Sequence, residues 1–343
     1  MTVLGIETSC DETAAAVVED GRQVRSSVVW SQVQAHAPYR GVVPEIASRN
    51  HLKALIPVVE TALHDAGVAP DCVDGLAVTL GPGLIGSLLV GVQFAKAVSF
   101  AWNRPLVGVN HLEAHVMAAF LDQDPPDFPF VALAVSGGHT SLYRVDAIGA
   151  FRLLGRTRDD AAGEAFDKAA ALLGLPYPGG VHVDRASEGR NPEAVHFPRA
   201  MLRETDTLDV SFSGLKTALR RHIESLQAPL DAATIGDLAA SFQEAVVDVL
   251  VTRTLHAATQ EQVRHVVVAG GVAANRRLRA RMTAATTAAG LRLHLVPMAY
   301  CTDNAAMVAA LGYHYLFGDR AGSRECARDL DMDPFERHVL DGW

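Results

Sequence analysis

Twice along this chain an apolar strand runs into a turn of small or hydroxyl-bearing residues and returns as a second strand. The first copy is Val3-Leu4-Gly5-Ile6, the turn Glu7 to Thr13, and the run Ala14-Ala15-Ala16-Val17-Val18. The second is Phe130 to Val135, the turn Ser136-Gly137-Gly138-His139-Thr140, and Ser141 to Val145. Apolar runs broken by such turns read as hairpins. The repetition is of pattern, not of letters, and it predicts duplicated lobes facing a shared cleft. Asp127-Phe128-Pro129, just before the second copy, reads as the hinge between them.

The rest of the chain fills in around these units. A helical pattern spans residues 50–67, and Gly75 to Thr79 reads as a buried strand. The glycine-rich connection Gly81 to Ser87 leads into a helix near residues 87–101. Residues 150–235 are less regular. Order returns with a helix near 234–258, a strand at His265 to Ala269, and a Gly270-Gly271 turn. A helix from Ala273 to about Gly290, a strand from Arg292 to Val296, and a helix opened by Tyr300 to Asn304 and running through Phe317 complete the reading. The tail beyond Gly318 is polar, with Asp329, Asp331 and Asp333 among apolar residues.

Composition sets outer bounds. A chain of 343 residues with 49% hydrophobic and 20% charged residues can bury a sizeable core, and more readily forms two lobes than one. The net charge of −9 argues against an autonomous nucleic-acid binder but leaves room for a local basic stripe or a basic partner. Arg276, Arg277, Arg279 and Arg281 form one such run, readable also as a solvated helix face; Arg40 to Lys53 is another. The four cysteines, Cys10, Cys72, Cys301 and Cys326, form no CxxC pair, and no signal peptide precedes Val3, which suits a reducing cytoplasm. No apolar run reaches about 18 residues without a charge or helix breaker, so no membrane span is expected.

Asn110-His111-Leu112-Glu113-Ala114-His115 carries the most chemistry. Two histidines at i and i+4 share a helix face, so both rings can reach one metal ion, although surface histidines also fall at this spacing by chance. Glu113 sits two residues after the first histidine, not directly after it, so the zinc-protease pattern is not met. A third ligand must come from elsewhere. Asp303, at a helix start after a strand, is the best candidate, with a simple helix-dipole contact as the alternative.

Three turns that follow strands, Glu7 to Ser9, Ser136 to Thr140 and Gly270-Gly271, could offer backbone amides to phosphate oxygens. None is a Walker loop or a dinucleotide fingerprint. Gly137-Gly138 also reads as a plain tight turn. Asn275 could meet adenine or ribose, or merely cap a helix. Asp167 could accept both ribose hydroxyls, or be solvated beside a Glu164–Lys168 pair.

Taken together these stretches resemble the tRNA adenosine threonylcarbamoyltransferases, once labelled glycoproteases. The matching segments are Gly5 to Thr13, Gly41 to Glu45, Gly81 to Leu84, His111 to His115, Val135 to Thr140, Gly163 to Lys168, Pro178 to Gly180, Ser211 to Thr217, Ala269 to Asn275 and Cys301 to Asn304. They run in family order through most of residues 1–315. Val181 stands where a proline often follows the double glycine.

The resemblance implies an α/β, two-lobed actin-like and sugar-kinase-like (ASKHA) fold of duplicated ribonuclease-H-like domains. Lobe I would be residues 1–127 plus 297–343, and lobe II, the adenylate-binding lobe with an irregular insertion, residues 128–296. It implies transfer of a threonylcarbamoyl group from threonylcarbamoyl-AMP to the exocyclic amine of the adenosine beside the anticodon, in tRNAs reading codons that begin with A. By position, His111, His115 and Asp303 would hold one divalent metal ion, iron or zinc. Ala134, Val135, Ser136, Gly137, Gly138, Asp167, Gly180, Asp184 and Asn275 would hold the adenylate. A related inactive ASKHA-fold subunit and a small ATPase would be its partners. Rival readings are a sugar or acetate kinase of the same superfold, the non-catalytic partner subunit, and the protease of the older label.

Overall fold

The structure is a computed structural model that describes residues 1–226, 229–318 and 330–336. The chain divides into two compact units, Met1–Pro125 with the described residues that follow Val296, and Pro126–Val296.

The first unit begins with β1 (Thr2–Glu7), β2 (Glu12–Glu19), β3 (Gln23–Ser31), the single turn α1 (Val33–His36) and α2 (Pro44–Ala66). It continues through β4 (Gly75–Gly81), α3 (Ile85–Trp102), β5 (Leu106–Asn110) and α4 (His111–Met117). The strands lie in the order β3-β2-β1-β4-β5, antiparallel across β1–β2 and β2–β3 and parallel across β1–β4 and β4–β5. Because β1, β2 and β4 are buried on both faces, their side chains are apolar almost without alternation. Leu4 and Ile6 pack with Leu55, Val59 and Val92, from α2 and α3.

The second unit holds β6 (Phe130–Val135), β7 (Thr140–Ala147), β8 (Ala150–Arg156), α5 (Ala162–Leu172), α6 (Gly179–Ala186), α7 (Ser213–Ser225), α8 (Ala232–Gln260), β9 (His265–Ala269), α9 (Arg276–Ala288) and β10 (Arg292–Leu295). Its sheet runs β10-β9-β6-β7-β8, antiparallel within β6–β7–β8 and parallel across β6–β9 and β9–β10. Read from the other edge, this is the strand order and polarity of the first sheet. The duplication expected from two hairpins therefore extends to whole five-stranded sheets.

From Pro297 the chain belongs again to the first unit and forms α10 (Ala305–Leu316), which packs on β1, β2, β4 and β5. A Cβ at Gly5 would lie 2.7 Å from the Ala309 amide nitrogen and collide with the Ala305 carbonyl, so only glycine lets α10 lie this close to β1. Part of the polar tail is also placed: the Phe335 amide donates to the Leu80 carbonyl at 3.1 Å, and Met332 and Phe335 pack against the core.

Several elements differ from the sequence reading. The stretch 150–235, read as irregular, holds β8 and the helices α5, α6 and α7; two of these helices have only 8 and 11 residues, too short for a sustained period. The helix expected from Ala273 is instead a tight 3-10 turn, Gly271–Ala274, followed by α9 with Asn275 as its cap. Asp303 does not start a helix: Asn304 is the cap of α10, and Asp303 precedes it. α3 is 18 residues long with a mean hydropathy of 1.4, long and apolar enough to cross a membrane by composition. It carries Lys96, and its buried positions 87, 88, 91, 92, 95 and 99 make the one-sided stripe of a helix packed on a sheet.

Candidate functional site

In the first unit the site grows from the end of β5. Asn110 caps α4, its Oδ1 accepting from the Leu112 and Glu113 amides at 2.9 and 3.3 Å. The capped start fixes His111 as the first helical residue, and one turn later His115 stands beside it, ring centroids 4.6 Å apart and nearly perpendicular. Close packing of α10 on β1 brings in Asp303, whose Oδ1 lies 3.1 Å from His115 Nε2 and 3.6 Å from His111 Nε2. All three ligand atoms fall within 4.8 Å of one another.

This set fits a metal ion. Bonds of about 2.0–2.1 Å to tetrahedral zinc place donor atoms about 3.3 Å apart, close to the two spacings from Asp303 to the histidines. Both imidazoles are buried, at 6% and 1% exposure, whereas most surface histidine pairs are solvated. The buried Nδ1 of His115 meets no hydrogen-bond partner among the described residues, leaving the ring's orientation to its Nε2 side. Glu113 points elsewhere, its Oε1 accepting from the Tyr315 hydroxyl at 2.6 Å, so it offers no protease-type base.

The sequence reading missed the groups behind these ligands. Glu7, fully buried at the end of β1, accepts from His111 Nδ1–H at 3.1 Å, from the Thr79 hydroxyl at 2.5 Å and from the Ser9 amide at 2.5 Å. The available signal was a carboxylate closing an otherwise apolar strand. Burial alone would depress the His111 imidazolium, but the Glu7 and Asp303 carboxylates outweigh it and hold it up to about 9. Burial raises Glu7, and the charge and hydrogen bond of His111 more than offset it, leaving the carboxyl below its ordinary range. Glu12 is pushed up to about 9 by burial and then by Asp303 and Asp11.

In the second unit the other expected residues form a connected chain. Ala134 and Val135 are buried in β6, and the turn after them is closed by the Ser136 amide donating to the His139 carbonyl at 2.8 Å. The start of α5 docks on this turn: the Gly163 and Glu164 amides donate to the Ser136 and Gly137 carbonyls at 3.2 and 3.1 Å, and the Ala162 amide to Thr140 Oγ1 at 2.9 Å. Gly137 and Gly138 stay exposed, with nothing within 4 Å of where a Cβ would sit. Further along α5, Asp167 Oδ1 accepts from the Gly179 amide at 2.7 Å, tying it to the start of α6 beside Gly180. Asp184, on the same helix, accepts from Arg276 Nε at 2.7 Å, next to Asn275.

Asn275 itself is 8% exposed, and both ends of its amide are engaged. Oδ1 accepts from the Leu278 amide at 2.9 Å and Nδ2 donates to Gln243 Oε1 at 2.6 Å. The structure thus places it as the helix cap. A cavity of about 310 Å³ opens beside Asp184, Gln243, Glu244 and Arg276.

The arginine run of α9 is not an open basic stripe. Arg276 pairs with Asp184 and Glu188, Arg277 and Arg281 with Glu244, Arg281 also with Asp248, and Arg279 donates to two backbone carbonyls. In the other basic segment His51 is buried, hydrogen-bonded to Thr13 and the Cys10 carbonyl, while Arg49 and Lys53 are exposed.

Comparison with known proteins bears on these sites. A family model described as tRNA N6-adenosine threonylcarbamoyltransferase matches residues 23–310. A protein of that name from Anaeromyxobacter dehalogenans is 56% identical over 334 residues, covering 97% of this chain and 98% of its own. One from Syntrophus aciditrophicus is 54% identical over 341 residues, covering 99% and 98%. Among solved structures, component A of the (R)-2-hydroxyglutaryl-CoA dehydratase of Acidaminococcus fermentans superposes with a TM-score of 0.54 at 14% identity, over 90% of this chain and 96% of that one. That likeness is of fold alone, and the fold is the two-lobed ASKHA type with its ribonuclease-H-like sheets.

Proposed function

We propose a specific reaction from one premise: this chain belongs to the tRNA N6-adenosine threonylcarbamoyltransferase family and is a tRNA-modifying transferase. The donor is threonylcarbamoyl-AMP. The acceptor is the exocyclic amine of the adenosine adjacent to the anticodon, in tRNAs reading codons that begin with A. The observation that carries the reading is the buried cluster of His111, His115 and Asp303, which a kinase of the same fold would not need.

An adenine amine is a weak nucleophile, because its lone pair is delocalised into the ring. The donor therefore arrives activated: the amine nitrogen bonds to the carbamoyl carbon, the bond to the phosphate oxygen breaks, AMP leaves with the electron pair, and the amine's proton passes to solvent. A divalent ion held by His111, His115 and Asp303, iron or zinc, would supply a Lewis acid and a template for the donor's oxygens when bound. The residues themselves contribute two imidazole nitrogens and a carboxylate oxygen in fixed positions. In the second unit, Ala134 to Gly138, Asp167, Gly180, Asp184 and Asn275 hold the adenylate, with exposed amides of Gly137 and Gly138 facing its growing charge. Asn275 also caps α9, setting the backbone that follows β9. Orientation supplies most of the rate, with no side chain acting as general base. A His139→Ala variant that lost activity but kept metal and adenylate binding would overturn that last point.

The protein acts in the cytoplasm with a related inactive ASKHA-fold subunit and a small ATPase, which add phosphate-backbone contacts that the paired arginines of α9 do not offer. The test is incubation with those partners, threonylcarbamoyl-AMP and tRNA, scored by nucleoside mass spectrometry with His111→Ala in parallel. Product from wild type, and neither product nor bound metal with the variant, is expected. No product from wild type, with partners proven competent on a known transferase, would overturn the reading.

A further inference from the structure

We infer that Glu7 is a positioning residue for His111: its carboxylate holds the imidazole with Nδ1–H toward β1 and turns Nε2 toward His115 and Asp303. The inference rests on the metal-centre reading of that cluster.

Glu7 has no exposed surface, so it touches neither substrate nor solvent. The end of an apolar strand is an expensive place for a carboxylate, and its neighbours are arranged to satisfy it. The Ser9 amide donates to Oε1, while the Thr79 hydroxyl and His111 Nδ1–H both donate to Oε2. Parallel pairing of β1 with β4 sets Ile6 beside Val78, which brings Glu7 beside Thr79. An ionised carboxylate only accepts hydrogen bonds, so Nδ1 keeps its proton, and in the neutral imidazole that a metal ion requires Nε2 is the nitrogen with the lone pair. Ser9 Oγ lies 3.3 Å from the same Nδ1, but a hydroxyl can donate or accept and imposes neither tautomer.

Glu7 faces the Nδ1 edge of the ring, whereas Asp303 faces Nε2, so Glu7 is not itself a fourth ligand. Its charge still counts. Two carboxylates, Glu7 and Asp303, balance a dication bound by neutral imidazoles. A carboxylate behind a metal-bound histidine also raises the basicity of the ligating nitrogen.

The test compares wild type with Glu7→Gln and Thr79→Val, all full length. It measures Zn²⁺ affinity by chelator competition, the visible spectrum with Co²⁺, and thermal unfolding of the metal-free protein. Glu7→Gln preserves shape but can present an NH₂ to Nδ1, and should lose about 10–100-fold in Zn²⁺ affinity with an altered Co²⁺ spectrum. Thr79→Val should produce a smaller loss. Long-range ¹H–¹⁵N correlation on the zinc-loaded wild type should show His111 bound through Nε2 with Nδ1 protonated, and this holds even if Glu7→Gln does not fold. A folded Glu7→Gln protein with unchanged Zn²⁺ affinity, or His111 bound through Nδ1, overturns the inference alone. A wild type that binds neither ion overturns both it and the metal centre.

Discussion

His111 stands between two acids, Glu7 Oε2 at 3.1 Å from Nδ1 and Asp303 Oδ1 at 3.6 Å from Nε2. In metal-free protein this holds its imidazolium up to about 9, against about 6.5 for an unfolded histidine. A base whose folded value is raised contributes stability that is fully present below about 6.5 and lost as pH rises through about 9. Metal-free protein is thus expected to lose melting temperature between pH 7 and 9, a loss that His111→Ala should lack. Metal binding has the opposite dependence, since an ion must displace that proton. Apparent Zn²⁺ affinity should rise about tenfold per pH unit up to about 9, measured by competition titration at pH 7 and pH 8. A flat profile would mean that His111 is already neutral.

Among the elements, α5 has the clearest double duty. Its first amides are spent on the carbonyls of the Ser136–Gly137 turn, and its later Asp167 ties down the start of α6. Gly163 makes the docking feasible: a Cβ there would meet Gly137 Cα and the Ser136 carbonyl oxygen, each at 2.6 Å, both backbone atoms that cannot swing aside. Gly163→Ala is expected to cost about 1–3 kcal/mol by overpacking. It should weaken binding of a non-hydrolysable adenylate analogue while Zn²⁺ content stays at the wild-type level. Equal weakening of metal and analogue would show a general loss of fold instead. From sequence, the Gly163 to Lys168 segment and the Ser136 to Thr140 turn were each legible as motifs, but their docking on one another was not, because helix and turn meet mainly through backbone hydrogen bonds that no side-chain pattern encodes.

For the molecule as a whole, the two units differ in continuity. Pro126–Val296 is a single uninterrupted segment with its own five-stranded sheet, whereas the first unit needs α10, returned from beyond Pro297, to cover the face of β1 that carries Gly5. Residues 126–296 expressed alone are expected to fold cooperatively, with dispersed amide resonances and a sigmoidal urea transition. Residues 1–125 alone should not, because the face covered by α10 would be left open. The reverse outcome would place the main source of unit stability elsewhere.

Local sequence by itself determined the repeated hairpins, the buried strands at their starts, and the placing of His111 and His115 on one face of a helix, because strand and helix periods act over a few residues. Matching motifs also marked Asp303 before it had any visible neighbour. Only the tertiary structure decided that Asp303, 188 residues from His115, closes the cluster, that Glu7, 104 residues from His111, stands behind it, and that the arginines of α9 are paired. The physical reason is the same in each case. Strand order and the close approach of α10 bring distant residues within hydrogen-bonding reach, and a charge acquires its meaning from the partner it meets there rather than from its neighbours in the chain.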